Sequence, residues 1–292
     1  MICSICPRKC SVDREKDFGY CHSPNDFKVA RAALHFWEEP CISGKKGSGT
    51  VFFSGCNLKC VYCQNHSISF DDFGKTVSED ELIKIFENLI NSGAENINLV
   101  NPTHYAVSLA KLFKKWQCPV PVVYNSGGYE SVETLKLLNG IVDIYLPDFK
   151  YIRQDKAKKY SFAPDYPQVA EKAIAEMLRQ VPKCVFDENG IMKKGVIIRH
   201  LILPQNTNSA TEIIDYVAKN FPGAYLSLMA QYVPVTDLKK YPEINRKISK
   251  REYEKVVNHA IEINLENVFV QQLSSATDEY IPKFDLTGVE NI

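Results

Sequence analysis

The chain has 292 residues, 45% of them hydrophobic, and carries 35 basic against 35 acidic side chains. This is enough apolar material for one barrel-sized domain, or a domain with a small appendage. The balanced charge supplies no overall field to gather a nucleic acid, and no apolar run is long enough to cross a bilayer.

The segment that opens at Met1 lacks the apolar stretch of a secretory signal, so the expected compartment is the cytoplasm. There the ten cysteines should be reduced, and clusters of them read as metal ligands before disulfides. Residues 1–45 are rich in Cys, Pro and Gly and short of helical period, and are expected to form a cysteine-rich metal-binding extension. Residues 46–292 should form the main domain and its C-terminal tail.

From residue 50 onward, strand-like runs alternate with segments of helical period. The strands are expected at Thr50 to Phe53, Ile97 to Val100, Val120 to Tyr124, Ile141 to Leu146, Val196 to Leu203 and Tyr225 to Met229. Between the first two, Ser78 and Glu81 form a capping box ahead of the stripe Leu82, Ile85, Phe86 and Leu89. Further helices are expected at Tyr105 to Trp116, Ser131 to Leu138, Gln168 to Arg179 and Thr211 to Asn220. Lys239 to Lys255 is basic but interleaved with Glu243, Glu252 and Glu254, and Ser249 with Glu252 makes another capping box. It reads as a solvated helix face. Val268 to Gln271 is one more strand-like run, followed by a polar tail expected to pack over the domain or fray. Strict alternation implies parallel strands joined by crossover helices, as an open barrel or a doubly wound sheet.

The densest chemistry lies in Phe53-Ser54-Gly55-Cys56-Asn57-Leu58-Lys59-Cys60-Val61-Tyr62-Cys63-Gln64-Asn65, just after the first of these strands. A cubane iron–sulfur cluster is normally held by four thiolates, so three close ligands leave one iron free to bind something else. The alternative is a zinc site that takes a fourth cysteine from elsewhere.

This Cys-x3-Cys-x2-Cys spacing, with an aromatic before the last cysteine, resembles the signature of the radical S-adenosylmethionine (SAM) superfamily. The resemblance implies a 4Fe-4S cluster on Cys56, Cys60 and Cys63, SAM chelated to its open iron, and Tyr62 against the adenine. It also implies reductive cleavage of SAM to a 5′-deoxyadenosyl radical that abstracts hydrogen from a substrate. Between the two architectures it points to an α/β fold of the partial (β/α)6 TIM-like barrel type.

In parallel α/β folds the strand ends converge at the carboxyl edge. Those ends carry Asn101-Pro102-Thr103-His104, Asn125-Ser126-Gly127-Gly128, Pro147-Asp148-Phe149-Lys150 and, within the fifth strand, Arg199-His200. SAM presents a carboxylate, an ammonium, a diol and an adenine edge, and the expected SAM-binding set is Tyr62, Asn101, His104, Asn125, Ser126, Asp148, Lys150 and Arg199. Alternation along a strand lets only one of Arg199 and His200 face the interior, and Arg199 is the expected one.

Within the superfamily the chain looks most like the pyruvate formate-lyase activating enzymes and their uncharacterised relatives. Asp148-Phe149-Lys150 resembles their Asp-x-Lys motif. Two departures favour the uncharacterised branch: Asn101-Pro102-Thr103 stands where a Gly-Gly-Glu is usual, and Asn125 replaces an acidic residue. The resemblance implies a ferredoxin or flavodoxin as one-electron donor. It leaves open whether the substrate is a glycine of a partner protein, a peptide or a small molecule.

Cys3-x2-Cys6-x3-Cys10-x10-Cys21 is a second thiol set, fit for a closed site of zinc or an auxiliary iron–sulfur cluster. Cys41 reads as a fifth ligand or a free active-site thiol, and Cys118 and Cys184 as structural. Two other function classes compete: a non-enzymatic zinc or iron–sulfur binding module, and a thiol oxidoreductase using Cys3 and Cys6. The first leaves the polar strand ends without purpose. The second needs a compact βαβ unit that the N-terminal region lacks.

Overall fold

The computed structural model describes residues 2–277 and 279–292. Seven strands run parallel: β2 (Ser48–Phe53), β4 (Ile97–Val100), β5 (Val122–Ser126), β6 (Ile144–Pro147), β8 (Met192–Leu201), β9 (Tyr225–Met229) and β10 (Val268–Val270). Two antiparallel strands, β1 (Phe27–His35) and β3 (Lys75–Val77), extend the β2 side, and β7 (Val185–Phe186) makes a short hairpin with β8. The sheet order is β10-β9-β8-β6-β5-β4-β2-β1-β3, so the barrel is partial and its two edge strands do not pair. The expected partial barrel is the fold observed.

The helices follow the apolar stripes. Short α1 (Pro40–Ser43) and α2 (His66–Phe70) lie before α3 (Glu79–Asn91), whose capping box closes at Ser78 with Leu82, Ile85, Phe86 and Leu89 buried. Next come α4 (Ala106–Lys115), α5 (Val132–Lys136), α6 (Gln154–Ser161), α7 (Tyr166–Gln180), α8 (Thr207–Asn220) and α9 (Lys250–Glu262), the last capped by Ser249 and Glu252. Each box ties two otherwise orphan backbone donors and stabilises its helix by about 1 kcal/mol.

Period-two alternation builds two cores. Val51, Phe53, Leu99, Tyr124, Tyr145 and Ile198 face the helices. Val123, Ile144, Leu146 and Ile197 face inward and make an apolar floor with Cys41, Ile42 and Met192. Two residues further along the same strands, the inward positions turn polar. The barrel is thus packed below and polar above, where the strands end.

Residues 27–43, placed by sequence in the cysteine-rich extension, belong to the barrel. β1 pairs with β2 from Val29↔Phe53 to His35↔Ser48. After it, residues 36–43 enter the barrel floor, where Asn96 Nδ2 donates to the Ile42 carbonyl at 2.8 Å. Cys41, read from sequence as a fifth ligand or a free active-site thiol, sits in this floor, 7% exposed, packed with Met192 and Ile197. Its thiol is pushed up to about 12, chiefly by burial. The C-terminal tail packs rather than frays: Leu286 N donates to Ala30 O at 3.1 Å and Ala32 N to Thr287 O at 2.8 Å.

Candidate active site

The loop after β2 carries the three cysteines. Gly55 (φ 91°) turns the chain where an added Cβ would stand 2.7 Å from the Cys21 carbonyl, and Lys59 adopts φ 55° just before Cys60. Cys60 is buried, and Cys56 and Cys63 are half-buried. Their sulfurs accept hydrogen bonds: Leu58 N (3.4 Å) and Asn101 Nδ2 (3.5 Å) donate to Cys56, and Ser161 Oγ donates to Cys60 at 2.9 Å. Cys63 Sγ lies 3.5 Å from Ser69 Oγ.

Burial pushes the thiols of Cys60 and Cys63 up, the second to about 12, and Cys63 feels the charges of both Cys56 and Cys60. Three facing soft donors with hydrogen bonds already aimed at sulfur fit a cubane with one open iron.

Beside the loop is a cavity of about 200 Å³. Cys60, Tyr62 and Cys63 line one side, and the strand ends Asn125, Asp148, Lys150 and Arg199 line another. Asp148 is shared between two cations, Lys150 Nζ at 2.5 Å and the Arg199 guanidinium at 2.9 Å. Burial alone would raise its carboxyl; the two cations reverse this and hold it below its ordinary value. Burial likewise opposes the charged forms of Lys150 and Arg199, and the facing carboxylates raise both. Arg199 also donates to Asn125 Oδ1 at 2.6 Å.

Sequence reasoning missed Glu38. It comes from the segment that enters the floor and accepts from Asn98 and Asn125 at 3.2 Å each, with Arg199 NH1 at 3.4 Å. Burial raises its carboxyl, and Arg199 counters that in part. The outer wall of the cavity is aromatic, with His35, Trp37, Phe52 and Tyr280; the Trp37 and Tyr280 rings lie 4.8 Å apart. No motif marks Glu38 or Tyr280, because both arrive from segments remote from any parallel strand end.

Other expected residues fall elsewhere. Arg199 does face the cavity, and His200 lies on the opposite side with Nδ1 2.9 Å from the Phe149 carbonyl. His104 does not reach the cavity: Nε2 donates to the Ser54 carbonyl at 2.8 Å, and its buried Nδ1 has no partner among the described residues. Burial and the Arg14 charge lower its pKa to about 3, so it is neutral. Ser126 alternates with Asn125 and points away, accepting from Gly128 N at 3.3 Å. Asn101 touches Cys56 but does not line the cavity.

Tyr62 lines the cavity with its ring, and its hydroxyl is committed elsewhere. Ser161 gives its one hydrogen to Cys60, so Tyr151 donates to Ser161 (2.7 Å) and Tyr62 donates to Tyr151 (2.7 Å). This chain fixes the ring beside the cysteines. Cys3, Cys6, Cys10 and Cys21 lie behind the loop, outside the cavity.

The family model of the radical SAM superfamily matches residues 50–188. The uncharacterized protein MJ0674 of Methanocaldococcus jannaschii is 33% identical over 277 residues, covering 91% of this chain and 76% of that protein. A putative glycyl-radical enzyme activating enzyme of the same organism, MJ1227, is 31% identical over 123 residues, which are 40% of this chain and 48% of that protein. Among solved structures, methylornithine synthase (PylB) superposes with a TM-score of 0.52 at 13% identity, covering 95% of this chain and 81% of that one, a likeness of fold. With the cysteine loop in place on such a barrel, the chain belongs to the radical SAM superfamily.

Proposed function

We propose that this enzyme binds a 4Fe-4S cluster through Cys56, Cys60 and Cys63 and SAM in the adjoining cavity, and that it abstracts a hydrogen atom from a substrate held beneath the aromatic wall. The observation that carries this is the side-by-side placement of the Cys60 and Cys63 thiols, with Cys56 close to both, and the Asp148, Lys150 and Arg199 group on one cavity. When bound, the two cofactors supply one-electron reductive cleavage of a carbon–sulfur bond and the hydrogen abstraction that follows.

The chain's own residues bind, orient and exclude water. Lys150 and Arg199 present positive charge for a carboxylate, Asp148 and Asn125 present acceptors, and the Tyr62 ring offers a flat apolar face for a base. Asn101 and Ser161 hold hydrogen bonds on the sulfurs of Cys56 and Cys60, which favours the thiolate and tunes its cluster. His104 and Ser126, expected from sequence to touch SAM, instead support the loop and the third strand end from behind.

A reduced ferredoxin or flavodoxin is the proposed one-electron donor, and the cytoplasm the proposed compartment. The substrate we propose is a glycine of a partner protein, supported by the likeness to MJ1227, a putative glycyl-radical enzyme activating enzyme. The cavity's size and the wall formed by Trp37 and Tyr280 favour a second reading, a small molecule or single peptide side chain. A second metal at Cys3, Cys6, Cys10 and Cys21, zinc or an auxiliary cluster, completes the proposal.

The test is anaerobic reconstitution with iron and sulfide, then dithionite and SAM, reading 5′-deoxyadenosine. Production by the wild type and none by Cys60→Ala is the expected result, and absence in both overturns the proposal. Stimulation by a glycyl-radical partner, against none by small molecules, separates the two substrate readings.

A further inference from the structure

The charged side chains of the cavity form a row. Lys150, whose charge feels Cys60 and Cys63, holds Asp148; Asp148 holds Arg199; and NH1 of Arg199 reaches Glu38. Glu38 follows Trp37 in sequence, and both line the cavity, so the row ends at the aromatic wall.

The row is uneven. Asp148 is gripped by Lys150 at 2.5 Å and by Arg199 at 2.9 Å. Glu38 has only long contacts, from Asn98 and Asn125 at 3.2 Å each and from Arg199 at 3.4 Å. A nitrogen donating to an ionised carboxylate normally stands at about 2.7–2.9 Å, and such a carboxylate has about four acceptor sites. Glu38 therefore keeps acceptor capacity that the folded chain does not fill.

Its neighbours are short of donors too. Buried Asn98 Oδ1 and Glu39 Oε2 have no hydrogen-bond partner among the described residues. Arg199 feels the charge of Glu39 as well as those of Glu38 and Asp148, so Arg199 and Lys150 together serve one carboxylate more than they can balance. Burial raises the carboxyls of both Glu38 and Glu39. Buried acceptors without donors cost free energy, and a ligand that brings N–H groups and positive charge offsets that cost.

The wall suits the same ligand. The Trp37 and Tyr280 rings lie 4.8 Å apart, and Trp37 is 59% exposed. His35 meets Phe52 edge-on at 6.2 Å, and burial lowers its pKa to about 4, so this ring is neutral and does not repel a cation. Aromatic faces attract a cation through the ring quadrupole, more strongly where water is excluded.

We infer that Glu38, together with the Trp37 and Tyr280 rings, binds a primary ammonium or guanidinium group of the substrate. This rests on the second substrate reading, a small molecule or single peptide side chain, and narrows it to a cationic one. A quaternary ammonium would satisfy the rings but not Glu38, which requires N–H donors. The cation can belong to a free amine or to the lysine or arginine side chain of a peptide, and the chemistry at Glu38 is the same for both.

The experiment is isothermal titration of the anaerobically reconstituted full-length protein, with SAM present, against three probes: n-pentylammonium chloride, 1-pentanol and the peptide acetyl-Gly-Lys-Gly-amide. At least one of the two cations should bind about tenfold more tightly than the alcohol, and Glu38→Gln should remove that preference. Trp37→Leu, at an exposed position, should weaken the same cation about fivefold. Binding of pentylammonium alone assigns a free amine, and binding of the peptide alone assigns a side chain. Equal affinity for cation and alcohol, or no binding of either cation, overturns the inference and leaves the SAM-site reading standing. So does displacement of SAM by the cation, which would give Glu38 to the ammonium of SAM itself. A cation preference in wild-type protein that binds no SAM supports the inference and sinks the SAM-site reading instead.

Discussion

The two cysteine regions share left-handed backbone beside their cysteines and sit in opposite surroundings. The loop from Ser54 to Asn65 hangs from a fully buried strand, β2, and faces a cavity in which Lys150, Asp148 and Arg199 concentrate charge. The lobe over residues 2–24 has no strand behind it, and its contacts with the barrel are mostly side chains reaching backbone carbonyls, such as Arg8 to Asn57 and Arg14 to His104. An incompletely ligated metal needs a rigid scaffold to choose what fills the vacancy. A closed site supplies its own cross-link and needs only to be held in place.

The largest expected effect lies on the scaffold side. Replacing Arg199 with Met removes the cation shared by Asp148 and Glu38 and leaves both carboxylates buried with fewer partners. Breaking a buried pair this way costs about 3–5 kcal/mol, to be read by denaturant unfolding. SAM binding by isothermal titration should be lost as well. If stability is unchanged, the charge group is not the rigid half of the comparison.

Glu130 tests the ground beneath the lobe. It is buried, accepts from Thr103 Oγ1 (2.5 Å) and Tyr124 OH (3.0 Å), and lies close enough to Cys6 to influence that thiol. Burial raises its carboxyl from 4.5 to about 7. The folded protein therefore holds a proton through a window in which the unfolded chain has released it. Stability contributed by this group is full below about pH 4.5, falls as pH rises toward 7, and is flat above. The shift corresponds to about 3 kcal/mol over the window. Glu130→Gln should flatten the pH dependence of Tm there, and an unchanged slope would show that another group governs it.

Much of the loop side was legible in sequence, and little of the lobe's docking was. Parallel strands must bring Asn125, Asp148, Lys150 and Arg199 to one edge, and alternation put Arg199 inward and His200 outward, as found. The same alternation excludes Ser126, which was nonetheless expected at the site. His104 lies outside the cavity because the turn Thr103–Tyr105 rotates its ring back toward Ser54. β1 escaped notice because Phe27–His35 is rich in alanine and poor in β-branched residues. Glu38 and Tyr280 are positioned by long-range insertion and by the tail, for which a single sequence carries no period.

Arg8 joins the two regions, and Arg8→Ala is expected to cost about 2 kcal/mol, since charged donors to carbonyls are worth more than neutral ones. The signature is local. Amide exchange at Asn57 and Leu58 should rise while the β4 and β5 amides keep their protection. Uniform loosening of the whole barrel would mean that the lobe supports the fold at large and not the loop.

The smallest and sharpest test is Ser161→Ala. Ser161 touches both regions at once: its carbonyl accepts from Arg8 at 3.2 Å and its hydroxyl donates to Cys60 Sγ at 2.9 Å. The substitution keeps the carbonyl, so the Arg8 contact survives and stability should fall by only about 1 kcal/mol. What it removes is a hydrogen bond on one sulfur, and it leaves the Tyr151 hydroxyl without its acceptor. A hydrogen bond to a ligating sulfur favours the more negative, reduced state, so its loss should shift the potential of the cluster on Cys60 downward. The N-terminal lobe, whose cysteine sulfurs Ser161 does not touch, should keep its amide protection. If exchange in the lobe rises together with the shift in potential, the lobe and the loop are one unit and the division drawn between them fails.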